Sequence, residues 1–135
     1  MPSTDTVVRR DAFAETAAKH LEAFVGANPD VAYAVLTTAD GFEVAAHPKR
    51  LLTQKLAAMS SSLQALSEAI SREAGLTNSR NLVIEADTGT IVVQGLPDTN
   101  PRMSLAVVSG NKETLGRLLW ATRTFCSTLA GLQRG

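Results

Sequence analysis

Two histidines, one cysteine and three consecutive serines are the side chains that could do chemistry here: His20, His47, Cys126 and Ser60 to Ser62. A metal centre calls for closely spaced ligands, as in C-x-x-C or H-E-x-x-H, and neither pattern occurs. A serine nucleophile needs a turn such as G-x-S-x-G and an oxyanion-donating glycine, and the serine run lies inside a helical pattern without either. A phosphate cradle would need G-x-x-x-x-G-K-[ST] or G-x-G-x-x-G. The nearest fragment, SGNKET from Ser109, has one glycine and a lysine at the wrong spacing, and reads as a turn leading into a helix cap. Cys126 falls on the apolar stripe of the last helix with Leu115, Leu118, Leu119, Thr122 and Leu129, which suits a buried small hydrophobe better than a nucleophile. No catalytic, cofactor-binding or metal-binding residue is assigned, and the chain reads as non-enzymatic.

Composition narrows the alternatives. The 135 residues suffice for one domain with a sizeable core. With 44% hydrophobic and 19% charged residues the composition is that of a folded domain. Thirteen basic residues balance 13 acidic ones, so there is no cationic surplus for nucleic acid or an anionic membrane. No apolar run approaches a membrane span, and no targeting segment is visible. A single cysteine cannot form an internal disulfide, and the expected setting is cytoplasmic.

Periodicity divides the chain. Phe13, Ala17, Leu21 and Phe24 form one helical stripe over about Asp11 to Gly26. Val31–Thr38 and Phe42–Ala46 read as strands joined at Asp40-Gly41, residues that tolerate a tight turn. A long helix follows from Leu51 to Ala74, with Gly75 placed to cap it. Strands are expected from Asn81, Thr90 and Met103, the first two linked at Thr88-Gly89. The final helix runs from Glu113 to Leu132, capped by Asn111. The expected domain is 11–132, with flexible termini at 1–10 and 133–135.

The fold class is therefore α+β, with order α-β-β-α-β-β-β-α. In the first strand Val31, Tyr33 and Val35 alternate with Ala32, Ala34 and Leu36. That strand and the last one are apolar on both faces, which places them mid-sheet. The strands carrying Glu43 and Glu85 suit edges. The expected sheet is five-stranded, mainly antiparallel and ordered 2-1-5-4-3, with helices on both faces.

The middle helix has more apolar surface than a sheet needs. Leu52, Leu56, Met59, Leu63, Leu66 and Ile70 recur at spacings of 4, 3, 4, 3 and 4. Small residues flank them: Ala58, Ser62, Ala65 and Ala69 on one side, Ser60, Ser67 and Ala74 on the other. Together they cover more than half of the helix, enough for a second helix to dock, most simply that of a second copy. The plainer alternative is that the small residues are ordinary helix surface. Trp120 lies off the apolar stripe of the last helix; packing against the first helix is expected, the alternative being a partner anchor.

The element order, the AYAVLTTADGFEVAA hairpin and the LAAMSSSLQALSEAISREAGL helix together resemble a Roadblock/dynein-light-chain domain. NLVIEADTGTIVVQGL and MSLAVVSGNKETLGRLLWATRTF continue the likeness over roughly 11–132. The resemblance implies a profilin-like sandwich that dimerises through the middle helix and third strand. The implied interface is Leu52, Lys55, Met59, Ser62, Leu63, Leu66 and Ile70 with Leu82, Val83 and Ile84. It also implies a small Ras-like GTPase as partner, its nucleotide state modulated without a catalytic group from this chain. The alternative is a PAS- or profilin-like sensor for a small molecule or peptide.

Overall fold

The structure, a computed structural model, describes residues 4–134. The outermost parts of the expected flexible termini, 1–3 and 135, lie outside these residues. The elements are α1 (Thr4–Ala27), β1 (Val31–Thr38), β2 (Glu43–His47), α2 (Leu51–Glu73), β3 (Asn81–Ala86), β4 (Gly89–Gly95), β5 (Met103–Ser109) and α3 (Leu115–Arg134). One sheet runs β2-β1-β5-β4-β3, and every neighbouring pair is antiparallel. The expected element order and strand order are both realised.

The first face of the sheet carries the main core. Ala34, Leu36, Ala45, Val92, Leu105 and Val107 pack under Ala17, Leu21 and Phe24 of α1 and Leu118, Cys126 and Leu129 of α3. Both helices bury the stripe their periodicity predicts. They also meet each other, and the Phe24 and Phe125 rings stack with centroids 4.3 Å apart. α2 covers part of the second face, where Val35, Ala46 and Ala57 form a smaller cluster.

Several local details depart from the sequence pattern. α1 begins at Thr4, well ahead of Asp11. β2 begins at Glu43, and Phe42 belongs to the turn. Val31 joins the core under α1 and α3, on the same side as Ala34 and Leu36, because the β1–β5 register shifts between Val31 and Tyr33. A bulge of this kind reverses the simple alternation of faces. The β3–β4 turn is Asp87-Thr88, with Gly89 already paired to Ala86. At Gly89 a Cβ would overlap the Ser109 carbonyl oxygen, so only glycine lets the strands approach there.

The entry to α3 is also different. Thr114 caps the helix, its Oγ1 accepting from the Arg117 N–H at 3.2 Å. Asn111 instead donates from Nδ2 to the Asp87 carbonyl at 2.9 Å, tying down the β3–β4 turn. The preceding loop is held by Asp30, whose Oδ2 accepts from the N–H groups of Lys112 at 3.0 Å and Glu113 at 2.8 Å. The Asp30 carbonyl accepts from the Gly110 N–H at 2.8 Å. A carboxylate thus latches the α1–β1 loop to the β5–α3 loop. Asp30→Ala is expected to lower stability by about 2 kcal/mol, since two N–H groups lose a charged acceptor. The drop should appear as a lower urea midpoint at unchanged slope, with Asp30→Asn falling in between.

Candidate protein-interaction surface

The chemistry of this surface starts with how α2 is seated. Its buried positions are Thr53, Ala57 and Ser60, none of them large. Thr53 Oγ1 donates to the Arg50 carbonyl at 2.6 Å and accepts from the Arg50 N–H at 3.1 Å, so this hydroxyl also closes the first turn. From the sheet, buried Thr37 offers Oγ1 to the Phe42 carbonyl at 3.0 Å and lies 3.4 Å from the Ala57 carbonyl. Small side chains bring the helix backbone close to the strands, and the Thr53 and Thr37 hydroxyls find partners in main-chain carbonyls. At the other end Gly75, with φ of +80°, closes the helix. The Gly75 N–H donates to the Arg72 carbonyl and the Leu76 N–H to the Ser71 carbonyl, the paired bonds of a Schellman cap.

This seating turns the large residues outward. Leu52, Met59, Leu66 and Ile70 are exposed, Met59 to 67%. Lys55 and Ser62 lie exposed among them, and Leu56 and Leu63 are half-buried. Of the small residues expected to receive a second helix, Ser60 is buried on the chain's own sheet. Ala58 and Ser61 border the β1–β2 turn, where a Cβ on Gly41 would lie 2.9 Å from Ser61 Oγ and 3.2 Å from Ala58 Cα. Gly41 therefore serves the approach of α2 as well as the turn, a role the Asp-Gly pair does not reveal by itself.

α2 packs on β1, β2 and β5. The strand registers place Leu82, Ile84, Ile91 and Val93 on this same face, alongside Ala106. Ile84 is exposed, and Leu82 and Ile91 are half-buried. β3 is an edge strand, so its outer N–H and C=O groups are unpaired within the sheet. The structure thus brings together the outward ridge of α2, the open apolar half of the second face and a free strand edge. Val83 does not join them: it points to the opposite face and packs on the α1/α3 core. Only its main chain is placed at the edge.

The residues with chemical potential do not converge. His20 Nδ1 lies 2.9 Å from the Thr16 carbonyl on its own helix, and His47 ends β2. Ser61 and Ser62 both donate to the Ala58 carbonyl, and Ser60 faces the sheet. Among the described residues no group of His, Cys, Asp and Glu could hold a metal. Cys126 is buried, and desolvation pushes its thiol up from 9.0 to about 12. A thiolate is the reactive form, so native Cys126 should resist iodoacetamide at pH 8 and react once urea unfolds the chain. The sign follows for stability: the thiol stays neutral in the fold while the unfolded chain ionises, so this group removes stability as pH rises from 9.0 toward about 12.

Trp120 corrects another expectation. It is 65% exposed and not buried against α1 as expected; the ring stacked on that helix is Phe125, against Phe24. No described helix is long and apolar enough to cross a membrane.

Solved structures share this architecture. A Roadblock/LC7 domain from Streptomyces avermitilis superposes with a TM-score of 0.78 at 20% identity, over 87% of this chain and 98% of that one. The gliding protein MglB of Thermus thermophilus gives 0.74 at 20% identity, over 91% and 92%. An MglB in a tetrameric arrangement gives 0.75 at 21% identity, over 91% of each. No curated protein matches the sequence significantly. The sequence itself matches the Roadblock/LC7 domain over residues 17–109, which span all five strands and α2, and the chain belongs to the Roadblock/LC7 family.

Proposed function

We propose that this chain is a homodimeric regulatory or scaffold module that binds a small Ras-like GTPase and modulates its nucleotide state. One observation carries the dimer: the large apolar side chains of α2 face away from its own sheet, and the β3 edge of that sheet is unpaired. Leu52, Met59, Leu66 and Ile70 keep about half or more of their surface exposed in the monomer and are available for burial against a second copy. Two-fold pairing of α2 with α2 and β3 with β3 covers the ridge, extends the sheet and satisfies the edge in one step. The interface proposed is Leu52, Lys55, Met59, Ser62, Leu63, Leu66 and Ile70, with Leu82, Ile84 and the main chain of Val83.

The GTPase reading is supported by family membership and by the likeness to MglB. It assigns this chain no catalytic group; its contribution is to hold and reposition the partner. The test is an affinity pull-down of the purified protein from a lysate of its own source, with and without a non-hydrolysable GTP analogue. Nucleotide-dependent recovery of a Ras-like GTPase is expected, and recovery of none in either condition rejects the reading.

A further inference from the structure

A cleft opens beside the C-terminal half of α2, and its charged lining is not used by the interface residues just named. It measures about 620 Å³ and lies between the C-terminal half of α2, the loop from Ala74 to Arg80, the end of β4 and the β4–β5 loop. Three arginines line it: Arg72, Arg80 and Arg102. Glu68, the one acidic residue in the wall, is already engaged, with Arg102 Nη2 2.7 Å from its Oε1. Arg72 and Arg80 form no ion pair among the described residues. In a chain of net charge +0, the wall of this one cleft carries three cations and one anion.

The remaining lining is rich in donors. Gln64, Ser71, Asn78 and Ser79 contribute polar side chains. Among the described residues the main-chain N–H groups of Thr77, Asn78 and Ser79 have no main-chain partner. Asn78 takes a left-handed backbone conformation, with a φ of 58°. Arg72 in the last turn also complements the negative end of α2, but Arg80 has no such role.

We propose that this cleft binds a small phosphate-bearing molecule, with Arg72 and Arg80 as its principal ligands and Arg102 as a third cation positioned by Glu68. Guanidinium forks match phosphate oxygens two at a time, and free N–H groups suit the remaining oxygens. The volume exceeds that of phosphate alone and falls in the range of small-molecule sites. The inference is independent of the GTPase reading, since it concerns ligand binding by the isolated protein.

The experiment is a titration of isotope-labelled full-length protein with pyrophosphate, followed through backbone amide NMR at constant ionic strength. Saturable shifts are expected at Thr77 to Arg80 and at Gly95, with orthophosphate acting at the same amides more weakly. Arg72→Ala and Arg80→Ala should each weaken binding about tenfold, while Arg117→Ala on α3 leaves it unchanged. Both cleft arginines are exposed, so these variants keep the fold. Absence of saturation by about 10 mM pyrophosphate, at which a weak specific site would be filled, overturns the proposal. So does binding that survives in the double variant, or equal unsaturable shifts around Arg117 and Arg123, which would show general counter-ion association.

Discussion

Met59→Lys and Leu66→Glu are each expected to convert the proposed dimer to a monomer of 14.3 kDa while helical content is retained. Both side chains already face solvent in the single chain, Met59 to 67% and Leu66 to 56%, so a charge there costs the monomer little. In a two-fold interface the same change counts twice. Losing the burial of one such side chain removes about 1.5–3 kcal/mol, hence about 3–6 kcal/mol per dimer before the cost of desolvating the new charge. That weakens association by at least about a hundredfold. Light scattering at micromolar concentration, with circular dichroism on the same samples, reads both quantities. Leu63 is a poorer choice because it is half-buried, and its replacement would disturb fold and association together. Unchanged mass in both variants would place the dimer contact elsewhere; loss of helix signal would mean that α2 is seated differently.

Ala57→Leu should do the reverse. Ala57 is fully buried between α2 and the sheet, and the carbonyl of the same residue lies 3.4 Å from Thr37 Oγ1. A leucine cannot fit without lifting the helix from Val35 and Ala46, its partners in that cluster. Overpacking of this kind costs about 3 kcal/mol, or a melting temperature about 10 °C lower for a domain of this size. Ala69→Leu, exposed on the same helix, should change stability by less than about 0.5 kcal/mol. Thermal and urea denaturation of the two variants compares an inward and an outward position directly.

Much of the architecture is legible without coordinates. Phe13, Ala17, Leu21 and Phe24 mark the buried side of α1, and Leu118, Thr122, Cys126 and Leu129 that of α3, because one stripe per helix leaves a single way to seat it. Apolar residues on both faces of β1 and β5 put them mid-sheet, and the short hairpin links then permit few strand orders. Gly75 announces the end of α2 because few residues accept its backbone conformation. Caps proved harder: Asn111 and Thr114 are both good capping residues, and only the fold shows Asn111 spent on the β3–β4 turn.

The order of elements, the order of strands and the surplus of apolar surface on the middle helix all follow from the residues in their linear order. Local propensity and periodicity act over a few residues, and those properties need no more. Which side of α2 meets the sheet was settled by packing in three dimensions. Periodicity says that a helix has two faces, but close packing chose the side of Thr53, Ala57 and Ser60 over the bulkier one. The same holds for Trp120, left in solvent when Phe125 took the contact with α1, and for Val31, whose direction depends on a bulge against β5. It holds most for the cleft. Arg72, Arg80 and Arg102 are separated along the chain by a loop and two strands, and only the folded sheet carries their charges to one place.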